Sequence, residues 1–332
     1  MTEQSEKLIT IFGGSGFIGR HLVRRMAEQG WRVRVVVRDT QKAAFLKVAG
    51  RVGQISLVPA SITNEQNVTA AVQGADAVVN LVGILYQSGK RSFQATHING
   101  AENIAKAAAK AGVKHLVQIS ALGADSASPS KYAQSKAAGE SAVKNAFPGA
   151  TILRPSVVFG AEDGFFNLFG WMVQVFPIVP FFTNTVPHAE GGGGPKFQPV
   201  YVGDVVTAIS QAVSGDSHTG KTYELAGPRV YDMREVITMV NNEAQRKRWI
   251  IGVPYFIASM MALVLQFLPK PLLTPDQVKQ LKIGSVCSGK LPGLEAFGIP
   301  PTAAEAIIPT YLKRYRPLQQ TKRLRMTPRK GH

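Results

Sequence analysis

Residues 7–19 read Lys7-Leu-Ile-Thr-Ile-Phe12 and then Gly13-Gly-Ser-Gly16-Phe-Ile-Gly19. The first part is a short apolar run of the kind that forms a buried strand. The second opens a helix, because Phe17, Ile18, Leu22, Val23 and Met26 recur at helical spacing until Gly30 closes the pattern. A glycine pattern alone is common. Between a strand and a helix it becomes a phosphate-binding turn. Gly13 permits the tight turn, Gly16 lets backbone N–H groups approach a pyrophosphate, and Gly19 lets helix and strand pack closely. The helix N-terminus then faces the phosphates with its partial positive charge. The stretch predicts a bound dinucleotide.

Working outward, strands are expected at residues 32–37, 55–58, 77–82 and 115–120, with another opening at 151–153. Helices are expected at 42–48, 64–72, 94–111 and about 130–146, the third ended by Gly112. Regular alternation of strand and helix implies an α/β fold, a Rossmann-type doubly wound parallel sheet. Past residue 160 the rhythm breaks. Residues 200–214 read as strand plus helix returning to the main domain. The expected division is a nucleotide-binding domain over 1–160, completed by about 195–227. Residues 161–194 and 228–332 form a smaller, mostly helical, membrane- and partner-facing region. Gly191–Gly194 reads as a flexible loop.

The chain has 332 residues, 45% hydrophobic, so a sizeable core is available. Its single cysteine, Cys287, excludes an intramolecular disulfide and fits a reducing compartment. With no partner motif it reads as filler. The net charge of +17 suits an acidic partner or an anionic surface. After Glu305 no acid appears, while Lys313, Arg314, Arg316, Lys322, Arg323, Arg325, Arg329 and Lys330 follow. No nucleic-acid module is present, so nucleic acid is not an expected partner. The first strand starts too early to leave room for a leader, and the simplest expectation is a bacterial cytoplasm.

The second strand ends in Arg38, where an acceptor for ribose hydroxyls usually stands in NAD-binding proteins. Arg38 and Arg20 are suited instead to a 2′-phosphate, so NADPH is expected, with NADH as the alternative. Asp39 lies one position late for the ribose role.

The order of these motifs, with Asn80, Asn99 and Tyr132-x-x-x-Lys136, resembles the extended short-chain dehydrogenase/reductases over about residues 7–230. A narrower likeness lies in three runs. Ile152-Leu-Arg-Pro-Ser-Val-Val-Phe-Gly-Ala-Glu-Asp-Gly-Phe-Phe-Asn167, Ser130-Lys-Tyr-Ala-Gln-Ser-Lys-Ala-Ala-Gly-Glu140 and Asn145-Ala-Phe-Pro148 resemble the nucleotide-binding accessory subunit of respiratory complex I, NADH:ubiquinone oxidoreductase, in its alphaproteobacterial form. That resemblance implies tightly held NADPH without turnover. It implies partners among the subunits of the peripheral arm and membrane junction, near the quinone site. It also implies a peripheral location on the cytoplasmic face of the bacterial inner membrane, or on the matrix side if mitochondrial. The implied cofactor-binding set is Gly13, Gly16, Phe17, Ile18, Gly19, Arg20, Arg38, Val82, Gly83, Asn99, Ser120, Tyr132, Lys136 and Pro155.

In active relatives the Tyr exchanges a proton and the Lys one turn on lowers its pKa and anchors the ribose. Tyr132 and Lys136 have the i,i+4 spacing that puts both on one helix face. The carbonyl-polarising Ser or Thr is missing, because Leu122 stands where it belongs. Ser61 stands where many relatives place an adenine-contacting Asp. Tyr132 and Lys136 are therefore read as cofactor-binding residues, with a catalytic role as the alternative. A reductase or epimerase of the same superfamily is the alternative function.

Two apolar stretches remain. Residues 249–268 carry no charge, but Gly252 and Pro254 cut the helical part short of a span, leaving an interfacial or a core helix. Basic residues flank it, with Arg246, Lys247 and Arg248 before and Lys270 after. Residues 165–187 are interrupted by Pro177 and Pro180, and read either as a cleft lining or as part of a surface meeting anionic lipid.

Overall fold

A computed structural model describes residues 7–89, 91–184, 193–268, 271 and 273–317. The chain opens as β1 (Leu8–Phe12), α1 (Phe17–Glu28), β2 (Arg32–Val37), β3 (Ile55–Pro59), α2 (Glu65–Val72) and β4 (Ala77–Asn80). It continues as α3 (Gly100–Lys110), β5 (His115–Ile119), α4 (Lys131–Ala146) and β6 (Thr151–Pro155). A two-residue strand β7 (Val158–Phe159), α5 (Phe165–Val175), β8 (Ile178–Thr183), β9 (Lys196–Phe197), β10 (Val200–Tyr201) and α6 (Val202–Ser214) lead to β11 (Thr222–Leu225). The remainder is β12 (Tyr231–Asp232), α7 (Met233–Glu243), β13 (Trp249–Pro254), α8 (Tyr255–Leu265), α9 (Pro275–Ile283) and α10 (Ala304–Leu312).

Seven strands form one sheet in the order β11-β6-β5-β4-β1-β2-β3. Every pairing in it is parallel, so this is the expected Rossmann-type doubly wound sheet. Its central strands β1, β4 and β5 are buried along almost their whole length, as strands covered on both faces are. One face buries Leu22, Val23 and Met26 of α1 with Val205 and Ile209 of α6. The other buries Val68 of α2 and Ile104 of α3. Strand order reverses between β1 and β4, and open α/β sheets bind ligands in the crevice at that point.

Several expected elements are shorter or different. β4 ends at Asn80 rather than at 82, because the Asn80 side chain turns the chain. Its Oδ1 accepts from Val82 N (3.0 Å) and its Nδ2 donates to Gln118 Oε1 (2.8 Å). The helix expected at 94–111 starts as a π-helical turn, Gln94–Asn99, before α3. The one expected at 42–48 is a 3₁₀ helix, Ala44–Ala49. Residues 165–187 divide into α5, which stops before Pro177, and β8; residues 185–187 lie outside the described residues. Within the expected helical C-terminal part, Trp249–Pro254 is a strand that pairs parallel with β8. Gly191 and Gly192 are likewise outside the described residues, as are Lys270 and the basic positions from Lys322 to Lys330. Arg314 and Arg316 are folded back. Arg314 Nη2 donates to Ala161 O and Arg316 Nε to Glu243 O.

β6 is tied to α4 by a fork. Arg154 Nε donates to Glu140 Oε1 (2.8 Å) and Nη2 to Glu140 Oε2 (2.7 Å), with Glu140 buried. Removing one partner strands a buried charge. Arg154→Met should lower unfolding free energy by about 3 kcal/mol, read from urea denaturation. A loss near zero would show that Glu140 finds water or another partner.

Candidate functional site

The turn after β1 is built as its glycines predict. Gly13 has φ +79°, a backbone region that disfavours any side chain. A Cβ on Gly19 would lie 2.5 Å from Gly14 Cα and 2.6 Å from Gly13 O, so helix and turn touch backbone to backbone. Gly16 is the N-cap of α1, and no side chain caps that helix. Its first amides, those of Phe17 and Ile18 among them, are open to an anion. Across the crevice Val82 closes on Gly13, where an added Cβ would meet Val82 Cγ2 at 3.2 Å.

Tyr132 and Lys136 lie on α4, both buried. Lys136 Nζ donates to Ile119 O (3.3 Å) and sits 6.0 Å from the Tyr132 ring centre. Burial pushes the Tyr132 phenol up to about 12. Burial also pulls the Lys136 ammonium down to about 8, against the charge of Glu140. Gly83 keeps space open beside the ammonium, since a Cβ there would stand 3.4 Å from Lys136 Nζ. Ser120 follows β5, and its buried Oγ has no hydrogen-bond partner. Pro155 ends β6, and its carbonyl accepts from Leu122 N (3.0 Å). Leu122 is buried and brings no hydroxyl.

His97 is a member of this cluster that the sequence did not announce. Its Nε2 accepts from Ile84 N (3.0 Å), so the proton is on Nδ1, which donates to Ser135 Oγ (2.8 Å). Ser135 Oγ in turn donates to Tyr132 O (2.7 Å). Burial, then the nearby Lys136 charge, hold the imidazole down at about 3, so it is neutral. Its ring packs edge-on to Tyr132 (5.5 Å) and stacks on Phe93 (5.3 Å). A lone His carries no motif. The one available signal was its place on the helix face opposite Ser135 and Gly139.

The arginines are placed differently. Arg38 is exposed at the end of β2. Asp39 is engaged by its own turn, accepting from Lys42 N (3.1 Å) and pairing with Lys42 Nζ (3.2 Å). Arg20 lies over Phe45 (5.1 Å), its Nη1 3.9 Å from Glu162 Oε1, and its buried Nε is unpartnered. Ser61 bonds Thr63 within its turn (2.8 Å). Asn99 is exposed, its Oδ1 accepting from Gln94 Nε2 (2.9 Å), and makes no hydrogen bond to Tyr132 or Lys136. Cys287 is partly buried, and burial with the Glu224 charge pushes its thiol up to about 11.

An open amide cradle, space kept by glycines and an orphaned buried hydroxyl fit a dinucleotide. Residues 13–164 match the NAD(P)H-binding family. The fold resembles the NADPH-dependent quinone oxidoreductase of Escherichia coli complexed with NADPH, with TM-score 0.68 and 21% identity over 92% of this chain and 99% of that one. Fold and site define an NAD(P)H-binding protein with an extended short-chain dehydrogenase/reductase-like fold. The chain is 34% identical to NADH dehydrogenase [ubiquinone] 1 alpha subcomplex subunit 9, mitochondrial, of Arabidopsis thaliana, over 92% of this chain and 77% of that protein. It is 33% identical to the mitochondrial NADH-ubiquinone oxidoreductase 40 kDa subunit of Neurospora crassa, over 92% and 79%. The chain belongs to this family of complex I subunits.

Two outcomes follow from the geometry. Gly13→Val forces a branched side chain into a positive-φ position against Val82 and should abolish nucleotide retention through gel filtration while the chain stays folded by circular dichroism. His97 is neutral when folded, and its unperturbed value is 6.5. Its contribution is complete above that value and is lost as pH falls toward about 3. Between roughly pH 6 and 4 the stability gap between wild type and His97→Gln should close by about 1.4 kcal/mol per unit. A gap independent of pH would mean that His97 is protonated in the folded chain.

Proposed function

We propose that this chain is an accessory subunit of a membrane-bound NADH:ubiquinone oxidoreductase and holds NADPH as a fixed ligand without turning it over. The observation that carries the reading is a complete cofactor cradle beside an incomplete reaction centre. Leu122 occupies the position of the carbonyl-polarising hydroxyl. Tyr132 is deeply desolvated, and its hydroxyl makes no hydrogen bond to the described residues. The likeness over more than three quarters of two complex I subunits supports the same assignment.

The α1 amides would hold the pyrophosphate, Ser120 and Lys136 the ribose on the nicotinamide side, and Tyr132 with Pro155 the ring. Arg38 and Arg20 favour NADPH over NADH, since neither can accept a ribose hydroxyl and both suit a 2′-phosphate. NADPH brings a transferable hydride to such a site. This chain contributes a charged Lys136, a proton-holding Tyr132 and exclusion of water. A ligand bound only by the native state adds stability with its concentration over Kd, which suits a structural cofactor.

A peripheral membrane position is part of the proposal, on the cytoplasmic face of a bacterial inner membrane or its matrix equivalent. Among the described residues no helix is long and apolar enough to cross a membrane. Yet α8 exposes Phe256, Met260, Leu263 and Val264, with Phe267 just beyond it. Exposed Lys247 precedes β13, which leads into α8, and exposed Lys279 and Lys282 lie on α9, which packs against α8. An exposed apolar face with lysines on the neighbouring elements suits a helix lying in an anionic interface. Partner subunits at the junction of the peripheral arm and membrane would cover the rest.

The second reading, a reductase or epimerase, is favoured by the Tyr132–Lys136 pair on one face of α4. Denaturing the purified chain should release NADPH in about one equivalent. Arg38→Asp should shift retention toward NADH. The chain should migrate with the intact complex in mild detergent. Steady NADPH oxidation with a carbonyl substrate, lost on Tyr132→Phe, would decide for the enzyme instead.

A further inference from the structure

α9 begins with a capping box of its own. Thr274 Oγ1 accepts from Gln277 N (3.2 Å), and Gln277 Oε1 accepts from Thr274 N (2.9 Å). The carboxylate of Asp276, in the same first turn, is spent elsewhere. Its Oδ1 accepts from Lys131 N (2.7 Å), and its Oδ2 accepts from Tyr132 N (3.0 Å) and Ser130 Oγ (3.0 Å). The first turn of α4 already has a local cap, Ser130 Oγ accepting from Ala133 N (3.4 Å). Asp276 adds a negative charge to the same helix end from about 145 residues away in the chain, where it is favoured by the helix dipole.

That carboxylate joins two parts of the molecule. On one side is the first turn of α4, which carries Tyr132 and sets the start of the turn ending in Lys136. On the other is α9, whose Val278 packs on Tyr255, Ala258 and Ala262 of α8. Behind those residues lies the exposed apolar face of α8. Among the described residues, no other acidic side chain hydrogen-bonds the amides of α4's first turn.

We infer that Asp276 is a positioning residue that couples nucleotide retention to the seating of the α8–α9 pair. The inference rests on the proposed nucleotide site. With α9 seated, the first turn of α4 is fixed and Tyr132 is held in its ring cluster. With α9 lifted, two amides lose their acceptor and the turn loosens under Tyr132. Coupling of this kind is reciprocal: whatever seating α9 adds to nucleotide affinity, the nucleotide adds to the seating of α9. A partner or lipid that holds α8 down would therefore slow cofactor loss without touching the cofactor.

The test uses the full chain. Lys279 and Lys282 are exposed on α9, so tryptic cleavage there reports whether α9 is seated. In wild type, added NADPH should slow that cleavage, a measurement needing no substitution. In Asp276→Asn, NADPH should leave about tenfold faster, the size of one charged cap contact, and its protection of Lys279 and Lys282 should vanish. Asp276→Glu should restore part of both, which a general loss of folding would not allow. Cleavage indifferent to NADPH in a wild-type chain that binds it overturns the coupling alone, as does an Asn variant that keeps NADPH as long as wild type. A wild-type chain that binds no dinucleotide overturns the proposed function itself.

Discussion

A helix amide cannot be capped by its own chain and also receive a phosphate. Among the described residues, four helices settle that conflict in favour of the cap: Asn64 caps α2, Ser130 α4, Asp232 α7 and Thr274 α9, each by a side-chain oxygen. α1 settles it the other way. Its N-cap is Gly16, it has no side-chain cap, and its first turn holds no acid. Forgoing a cap costs about 1 kcal/mol. α6, α8 and α10 also lack a side-chain cap, so an open helix end alone marks no site; at α1 it coincides with the glycine turn and the reversal of strand order. The same turn must also bring helix and strand into backbone contact, which Gly13, Gly14 and Gly19 allow and any larger residue would prevent. Placed at the reversal of strand order, this uncapped helix end determines where everything else in the crevice has to point.

The opposite wall is organised by a different rule, that buried polar groups be satisfied. Asn80 bonds Gln118, Gln118 bonds Ile119 O, and Lys136 bonds the same carbonyl. His97 is locked into one tautomer by Ile84 and Ser135. Against this background the exceptions are informative. Of the three buried side-chain atoms left unpaired among the described residues, Ser120 Oγ and Arg20 Nε belong to residues of the proposed nucleotide site, while Asn241 Oδ1 lies elsewhere. A site that is paired except where a ligand would arrive is preorganised for binding.

What could be read from the sequence was what local rules govern. The glycine turn, the alternation of strand and helix, and the Tyr132–Lys136 face all lie within a few residues of their cause. What escaped depends on distant parts of the chain. Asn80 ended its strand because Gln118 waits on the neighbouring one. Trp249–Pro254 reads as a helical lead-in until Ile178–Thr183 offers it an edge. His97 has no motif, and its role comes from α4 packing so closely that a Cβ on Gly139 would collide with His97 O. Arg314 and Arg316 looked like part of a free basic arm, but backbone carbonyls of the body accept from both.

The apolar face of α8 is best understood by asking what it does for the isolated chain. The helix buries Tyr255, Ala258 and Ala262, which are small except for one ring. Its larger side chains, Phe256, Met260, Leu263 and Val264, remain in water. Apolar surface stabilises at about 25 cal/mol per Å² only once it is covered. These residues therefore contribute almost nothing to folding and are available to whatever covers them. An 11-residue helix is too short for a hydrocarbon core of about 30 Å, so covering means lying along a surface rather than crossing it.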